Sequence, residues 1–291
     1  MPNVYDIVTE QVIKQLEQGV APWRKPWRTE APVNLVSGKP YRGLNVFMLA
    51  TQGYESRYWM TFNQAKKLGG HIKAGEKSTL VVFWHIGEEK IIRNVETGKD
   101  RKSTPILLRY YNVFNVCQTE GIAEKLGLGN SVPRVPSLEQ CEAIVSAMPN
   151  PPQREQSDRA WYRPSNDTVG MPARGLFNSS EEFYSTLFHE LTHSTGHKSR
   201  VGREGIEQHN GFGSESYSKE ELVAEMGAAM LCGVTGIEQS TLGNTAAYLQ
   251  SWITRLKSDS KLLVSAASQA QKAADYILGK SLAVETETES Q

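Results

Sequence analysis

Two histidines and a glutamate stand at a spacing that could bind a metal ion and use it. The residues from 189 to 193 read His-Glu-Leu-Thr-His. Positions four apart lie on one face of an α-helix, so His189 and His193 would direct two imidazoles toward one point. Glu190, between them, would reach the open side of the metal as the catalytic base. This H-E-x-x-H pattern is typical of zinc-dependent peptidases.

The flanking residues predict that the pattern lies inside a helix. Ser179 and Glu182 are spaced as a capping box, which satisfies backbone N–H groups at the start of a helix. Gly196 is a suitable place for the helix to end. Apolar side chains recur at helical spacing at Phe183, Tyr184, Leu187, Phe188 and Leu191. We therefore expect a helix of about four turns that presents both histidines from one face.

A third metal ligand is needed, and one candidate is a further histidine. A histidine three residues after Gly196 would complete the metzincin pattern, but that position is Ser199. His197 directly follows the glycine and remains an alternative ligand.

A glutamate on a later helix, as in gluzincins, is the preferred third ligand. Residues 218–231 have a helical pattern, and Glu221 and Glu225 share a face because they are four apart. One of them would bind the metal while the other orients a histidine. We prefer Glu221, because E-x-x-A-E resembles the gluzincin signature, and Glu225 remains the rival ligand. A plainer interpretation makes Glu221 the end of a capping box that begins at Ser218.

The charge of the chain is divided between its two halves. The 291 residues have no net charge, but residues 1–125 carry +6 and residues 126–291 carry −6. This asymmetry suggests a basic module joined to an acidic one. Three scattered cysteines do not form a disulfide framework, and no stretch approaches the ~20 apolar residues of a membrane span. We expect a cytoplasmic protein without membrane association.

Aromatic residues and cations are interleaved in the basic half. Single-stranded nucleic acid binds where bases stack on aromatic rings and cations follow the phosphates. The alternative is that the tryptophans anchor a small core and the cations are merely solvated. Tyr110 and Tyr111 follow Arg109 in the same manner. The candidate DNA-binding residues are Trp23, Arg24, Lys25, Trp27, Arg28, Tyr41, Arg42 and Trp59.

Strands and helices are both expected, which predicts an α+β protein. Strands are predicted at 78–86, 90–95 and 105–116, and helices at 3–18, 61–70, 138–148, 244–257 and 261–278. Two extended segments, 160–163 and 168–171, precede the metal helix. One of them could be an edge strand that binds a peptide by strand addition.

We predict two domains on this basis. Residues 1–126 would form a small mixed DNA-binding domain, and residues 138–284 a zincin-like, gluzincin-type metallopeptidase domain. Residues 127–137 contain two glycines and two prolines and form the predicted linker. The acidic end, 285–291, is predicted to be disordered.

Motifs across the whole chain resemble the ArdC-type antirestriction proteins, and TraC-type plasmid primases carry a similar N-terminal region. In the first half these motifs are P-W-x-x-P-W from residue 22, Y-R-G-x-N from residue 41, W-x-T-F-x-Q-A from residue 59 and Y-Y-x-V-F-N from residue 110. In the second half they are L-F-H-E-L-T-H-x-x-G-H from residue 187 and E-E-L-V-A-E from residue 220.

The resemblance implies a function that no spacing could indicate. It implies a single-stranded DNA-binding N-terminal domain, a zinc peptidase domain in which Mn²⁺ could substitute, and protection of incoming conjugative plasmid DNA from host restriction. The protein substrate is unknown and could belong to the restriction machinery. Two alternatives are a DNA-tethered, SprT-like protease that cleaves DNA-bound proteins, and a DNA-binding protein whose metal site is only structural. Glu190 argues against the last, since a structural site needs no general base.

Overall fold

The computed structural model describes residues 3–24, 30–86, 90–93, 100–103, 106–128, 136–207, 215–237 and 245–280. These segments combine helices and strands, which confirms the predicted α+β class. Most of the predicted linker and the whole predicted tail lie outside the described residues, so both stay predictions.

Two of the three helices described in the first half begin at a residue whose side chain caps them. The three helices are α1 (Val4–Glu17), α2 (Leu44–Ala50) and α3 (Phe62–Lys67). The Asn3 side chain accepts a hydrogen bond from the backbone N–H of Asp6 at 3.0 Å, which caps α1. Thr61 and Gln64 form a capping box at the start of α3. The apolar face of α1 is buried, as its amphipathic pattern predicts.

A four-stranded sheet packs with these helices. Its order is β1-β2-β7-β4, and all its neighbouring strands are antiparallel except the pair β1 and β2. The strands are β1 (Val33–Asn34), β2 (Tyr58–Thr61), β4 (Thr79–Ile86) and β7 (Ile106–Asn115). Two small antiparallel pairs complete this half, β3 (His71–Ile72) with β8 (Thr119–Glu120) and β5 (Lys90–Arg93) with β6 (Asp100–Ser103). The predicted long strands are confirmed over their described residues, whereas the short strands β1, β2, β3, β6 and β8 have no counterpart in the prediction.

The second half is mainly helical and carries a small mixed sheet. Its strands are β9 (Gln153–Gln156), β10 (Trp161–Arg163) and β11 (Thr168–Met171), in the order β10-β11-β9. Its helices are α4 (Leu138–Ala147), α5 (Ser180–Ser194), α6 (Glu204–Glu207), α7 (Glu215–Thr235), α8 (Ala246–Ser258) and α9 (Leu262–Ile277). Because β11 is paired on both sides, residues 168–171 cannot be the predicted peptide-binding edge, and β10 is the remaining candidate.

One hydrophobic core joins the two halves. Buried side chains of α1 and α2 pack in the same cluster as those of α5, α7, α8 and α9. Val12 and Phe47 from the first half belong to it together with Leu222, Leu256 and Leu263 from the second. The two halves of the chain therefore share their main core. The predicted domain boundaries at 126 and 138 remain predictions.

Trp23 is packed inside this core. Its side chain is 1% exposed, and its indole Nε1 donates to Glu225 Oε2 and Tyr248 Oη, each at 2.9 Å. Its ring meets Trp252 edge to face at 5.9 Å between centroids. A base needs an open aromatic face, and Trp23 has none. The core alternative is correct for this residue.

The other candidate DNA-binding residues divide into three groups. Trp59 and Tyr41 are buried, at 2% and 5% exposure, so the same correction applies to them. Arg24 and Arg42 are engaged in ion pairs with Glu225 and Asp275 of the second half. Lys25, Trp27 and Arg28 lie outside the described residues.

We predict that Trp23→Phe lowers the free energy of unfolding by about 1–3 kcal/mol, because two buried hydrogen bonds lose their donor. Urea unfolding monitored by circular dichroism measures this change. Trp84→Phe is the control, since Trp84 is 43% exposed and its replacement should cost about 0.5 kcal/mol or less. Unchanged stability of Trp23→Phe together with weaker DNA binding would instead restore the stacking role.

Candidate metal centre

Helix α5 carries the H-E-x-x-H residues, as the sequence predicts. The Ser179 hydroxyl accepts a hydrogen bond from the backbone N–H of Glu182 at 3.1 Å and caps the helix. The Glu182 carboxylate in turn accepts from the backbone N–H of Asn178 at 2.9 Å. Tyr184, Leu187, Phe188 and Leu191 are buried in the main core, so the helix is fixed in its rotation. That rotation directs His189 and His193 toward α7.

Three donor atoms meet where α5 faces α7. The Nε2 atoms of His189 and His193 are 3.1 Å apart, and each lies 3.6 Å from a carboxylate oxygen of Glu221. A tetrahedral ion with bonds of about 2.0–2.1 Å requires ligand atoms about 3.3 Å apart. The spacing of the three donors therefore fits one such ion. In the described part of the chain, this is the one group of three metal-ligating side chains that converge.

Two imidazole nitrogens and one carboxylate oxygen are a donor set that suits zinc in a catalytic site. Such sites use three protein ligands and leave further positions for water or substrate. Imidazole and carboxylate also bind other first-row metals, so the donor set does not restrict the site to zinc.

Glu220 holds His193 in place. Its Oε1 lies 3.3 Å from His193 Nδ1, so that ring nitrogen carries the proton and Nε2 keeps its lone pair for a metal. Burial alone would lower the pKa of His193, but the hydrogen bond and the charge of Glu220 raise it. Neighbouring Glu221 and Glu190 act in the same direction.

Arg203 supports Glu220 from the other side. Its Nε donates to Glu220 Oε2 at 2.9 Å, and its Nη atoms donate to Thr195 Oγ1 at 2.6 Å and to the Thr192 carbonyl at 2.8 Å. Burial raises the pKa of Glu220, but hydrogen bonds from Arg203 and His193 outweigh this and hold it below its usual range. Glu220 therefore stays a carboxylate, as the orientation of His193 requires.

Glu190 is buried beside the donors, at 7% exposure. Burial raises the pKa of its carboxyl, and the charge of Glu221 adds to this, while His193 and His189 oppose it. A raised pKa makes the carboxylate a stronger base, which favours its use as a general base.

Glu225 and His197, the alternative ligands, lie elsewhere. The Glu225 carboxylate accepts hydrogen bonds from Trp23, Tyr248 and Arg24 and does not belong to the converging group. His197 has its Nδ1 2.8 Å from Ser199 Oγ. The carboxylate that orients a histidine is thus Glu220 and not Glu225, which corrects the predicted division of roles.

Glu220 and Arg203 were not among the predicted site residues. The adjacent acids Glu220 and Glu221 were a usable signal. Neighbouring positions on a helix point about 100° apart, so one carboxylate can bind the metal while the other orients a histidine. No spacing indicates Arg203, which reaches the site from a loop.

Comparisons with known proteins agree with this geometry. A model of zincin-like metallopeptidases matches residues 139–269, and a model of the N-terminal domain of the anti-restriction factor ArdC matches residues 2–114. The metal-free crystal structure of antirestriction ArdC from plasmid R388 superimposes with a TM-score of 0.73 at 37% identity, covering 95% of this chain and 97% of that one. The chain belongs to the ArdC antirestriction family.

Other relatives extend the comparison. The Mn(II)-bound structure of the R388 ArdC protein has a TM-score of 0.73 at 36% identity, covering 96% and 98% of the two chains. A DNA primase TraC of Escherichia coli is 35% identical over 94% of this ArdC-family chain, which spans only 27% of the primase. An uncharacterized protein, y4eC of Sinorhizobium fredii, is 32% identical over 94% of this chain and 91% of its own length. No helix in the described segments is long and apolar enough to span a membrane.

We predict that Glu221→Ala lowers metal affinity by more than about 100-fold, since it removes one of three donors. Glu225→Ala should leave metal content unchanged, and Glu220→Gln should lower the affinity about 10- to 100-fold by releasing His193. Titration of the metal-free protein with Zn²⁺, followed by elemental analysis, measures all three. If Glu221→Ala kept its full metal content and Glu225→Ala lost it, Glu225 would be the third ligand and Glu221 would not.

Proposed function

We propose that this ArdC-family chain is a metal-dependent peptidase that also binds single-stranded DNA. The observation that carries the peptidase proposal is the convergence of His189, His193 and Glu221 beside the buried Glu190. A site that only stabilises the fold would need four protein ligands and no base. Three ligands with a buried carboxylate beside them suit hydrolysis.

The roles of the side chains follow from their positions. His189, His193 and Glu221 would hold the ion, which when bound would polarise a peptide carbonyl and acidify a water molecule. Glu190 accepts the proton of the attacking water and passes it to the leaving amine. Glu220, held by Arg203, keeps His193 in the tautomer that can act as a ligand.

We propose Zn²⁺ as the metal and Mn²⁺ as a substitute. The two nitrogens and one oxygen, spaced for a tetrahedral ion, support zinc. The R388 ArdC protein has been crystallised with Mn(II), which supports substitution by manganese in this chain.

The DNA-binding role has a different surface from the one that composition suggested. Phe83 and Tyr111 are half-buried on the sheet, with ring centroids 5.6 Å apart, and Arg109 lies directly opposite Phe83 in the β4–β7 register. Directly opposed residues point to the same face of a sheet. Two aromatic rings and an exposed guanidinium thus share one face, and the net charge of +6 over residues 1–125 favours an anionic partner.

We further propose that these activities serve to protect incoming conjugative plasmid DNA from host restriction, with a protein of the restriction machinery as the peptidase substrate. The match to the ArdC N-terminal domain and the R388 ArdC structures support this role. A cytoplasmic location is consistent with the three unpaired cysteines. A DNA-tethered protease of wider specificity would use the same centre and the same sheet face.

We predict that Glu190→Gln keeps its metal but loses at least about 100-fold in peptidase activity, because the amide cannot accept the proton. Casein cleavage and elemental analysis measure the two properties. Glu181→Gln, in the first turn of the same helix, is the matched control and should retain activity. Undiminished cleavage by Glu190→Gln excludes this mechanism. Plasmid transfer into a restricting host then shows whether protection requires proteolysis.

We predict separate effects of Tyr111→Leu and Arg109→Gln on binding of a single-stranded oligonucleotide by the full chain. Loss of a stacking ring should weaken binding roughly five- to hundredfold at low and high salt alike. Loss of the guanidinium should reduce the salt slope by about 0.7. Fluorescence anisotropy measures both, and Phe62→Leu, which removes an exposed aromatic ring on α3, should change nothing. Unaltered affinity in both sheet variants would refute this surface.

A further inference from the structure

A cavity of about 290 Å³ lies between the two halves of the chain. The first half contributes residues around β1 and α2, and the second half contributes the ends of α7 and α9. Val46, Met230, Val234 and Leu278 provide apolar walls. The volume is at the lower end of the range for small-molecule sites, about 300–1,000 Å³, so the cavity suits a single small ligand.

Three cations also line this cavity, namely Arg42, Arg57 and Lys280. The Nε atom of Arg57 is buried and has no hydrogen-bond partner among the described residues. Leaving a buried donor unsatisfied is unfavourable, so an acceptor that enters the cavity would relieve that cost. The site therefore combines apolar walls with a donor that lacks an acceptor.

The charges around the cavity indicate how much negative charge a ligand would carry. Arg57 is paired with Glu30, and Arg42 is paired with Asp275, which is almost fully buried. Three cations against two carboxylates leave one net positive charge. A phosphodiester within a DNA strand carries one negative charge. A terminal phosphate ester carries about 1.5 to 2 negative charges at neutral pH, so one net positive charge would neutralise it less completely.

We propose that this cavity binds one nucleotide of single-stranded DNA, with its base against the apolar walls and its phosphodiester near Arg42 and Arg57. The inference rests on the proposed DNA-binding function and gives it a specific site. Tyr41 connects the cavity to the sheet face, because its ring lines the cavity and lies 6.1 Å from the ring of Phe83. Arg42 would thus contribute to DNA binding from inside the cavity.

A nucleotide in the cavity would contact α7, the helix that carries the metal ligand Glu221. Met230 and Val234 belong to α7, and Met230 lies nine residues beyond Glu221. Nine residues correspond to about 13.5 Å along a helix. The nucleotide would therefore contact both halves at once and strengthen their packing, which should raise the melting temperature further as its concentration increases.

The test compares full-length variants that fill the cavity, enlarge it or remove one of its positive charges. Val234→Phe fills it from a half-buried wall position, Val234→Ala opens it, and Arg57→Gln removes a cation. Arg159→Gln removes an exposed cation that does not line the cavity. The probes are a twelve-residue thymidine oligonucleotide, the dinucleotide d(TpT), thymidine monophosphate and inorganic phosphate. Anisotropy reports oligonucleotide binding, thermal melting reports the small probes, and circular dichroism checks the fold.

We expect Val234→Phe and Arg57→Gln to weaken oligonucleotide binding by at least about fivefold. Val234→Ala and Arg159→Gln should bind the oligonucleotide like the wild type. The dinucleotide should raise the melting temperature of the wild type and not of Val234→Phe. Wild-type affinity in both Val234→Phe and Arg57→Gln overturns the cavity proposal and leaves the DNA-binding function standing.

The small probes separate the remaining outcomes. Stabilisation by inorganic phosphate equal to that by d(TpT) would make this a simple anion site and overturn the nucleotide assignment. Tighter binding of thymidine monophosphate than of d(TpT) would overturn the assignment to a nucleotide within a strand. If d(TpT) binds through the cavity but the oligonucleotide does not bind at all, the proposed DNA-binding function fails and the nucleotide site remains.

Discussion

Helix α7 can approach α5 closely because residue 227 is a glycine. A Cβ atom at Gly227 would lie 2.5 Å from Thr192 Cγ2, closer than packed atoms allow. Thr192 stands immediately before His193, and Gly227 lies less than two turns beyond Glu221 on α7. The close contact of the Gly227 backbone with the Thr192 side chain therefore sets the distance between the histidines and the glutamate. The other interactions of the metal centre orient side chains whose separation this contact establishes.

Buried charges then fix the orientation of the donors within that geometry. Glu220 and Arg203 are 6% and 7% exposed, so each would be strongly destabilising without the other. Arg203 also donates hydrogen bonds to the Thr195 hydroxyl and to a backbone carbonyl, so several of its guanidinium N–H groups have acceptors. Such a network has little freedom to rearrange. His193 is consequently held in one tautomer and one orientation before any metal arrives.

The sequence was sufficient for features that depend on local order along the chain. His189, Glu190 and His193 lie on one helix because capping and periodicity are properties of neighbouring residues. The roles of Glu220 and Glu225 could not be derived in this way, since both lie on the predicted helix. Which of its sides faces α5 is decided by tertiary packing. The short strand β2 escaped prediction for a similar reason, because pairing with the distant strand β7 forms it.

The tryptophans show the same limit in the basic half. The same interleaving of tryptophans and cations occurs whether the rings stack on bases or pack in a core. For Trp23, only the position of α7 distinguishes the two. Glu225 lies one turn beyond Glu221, so a single stretch of α7 faces the histidines and also binds Trp23 and Arg24. A displacement of the N-terminal segment would therefore change the support of the helix that supplies a metal donor. The two halves are coupled through α7, which explains why one core serves both.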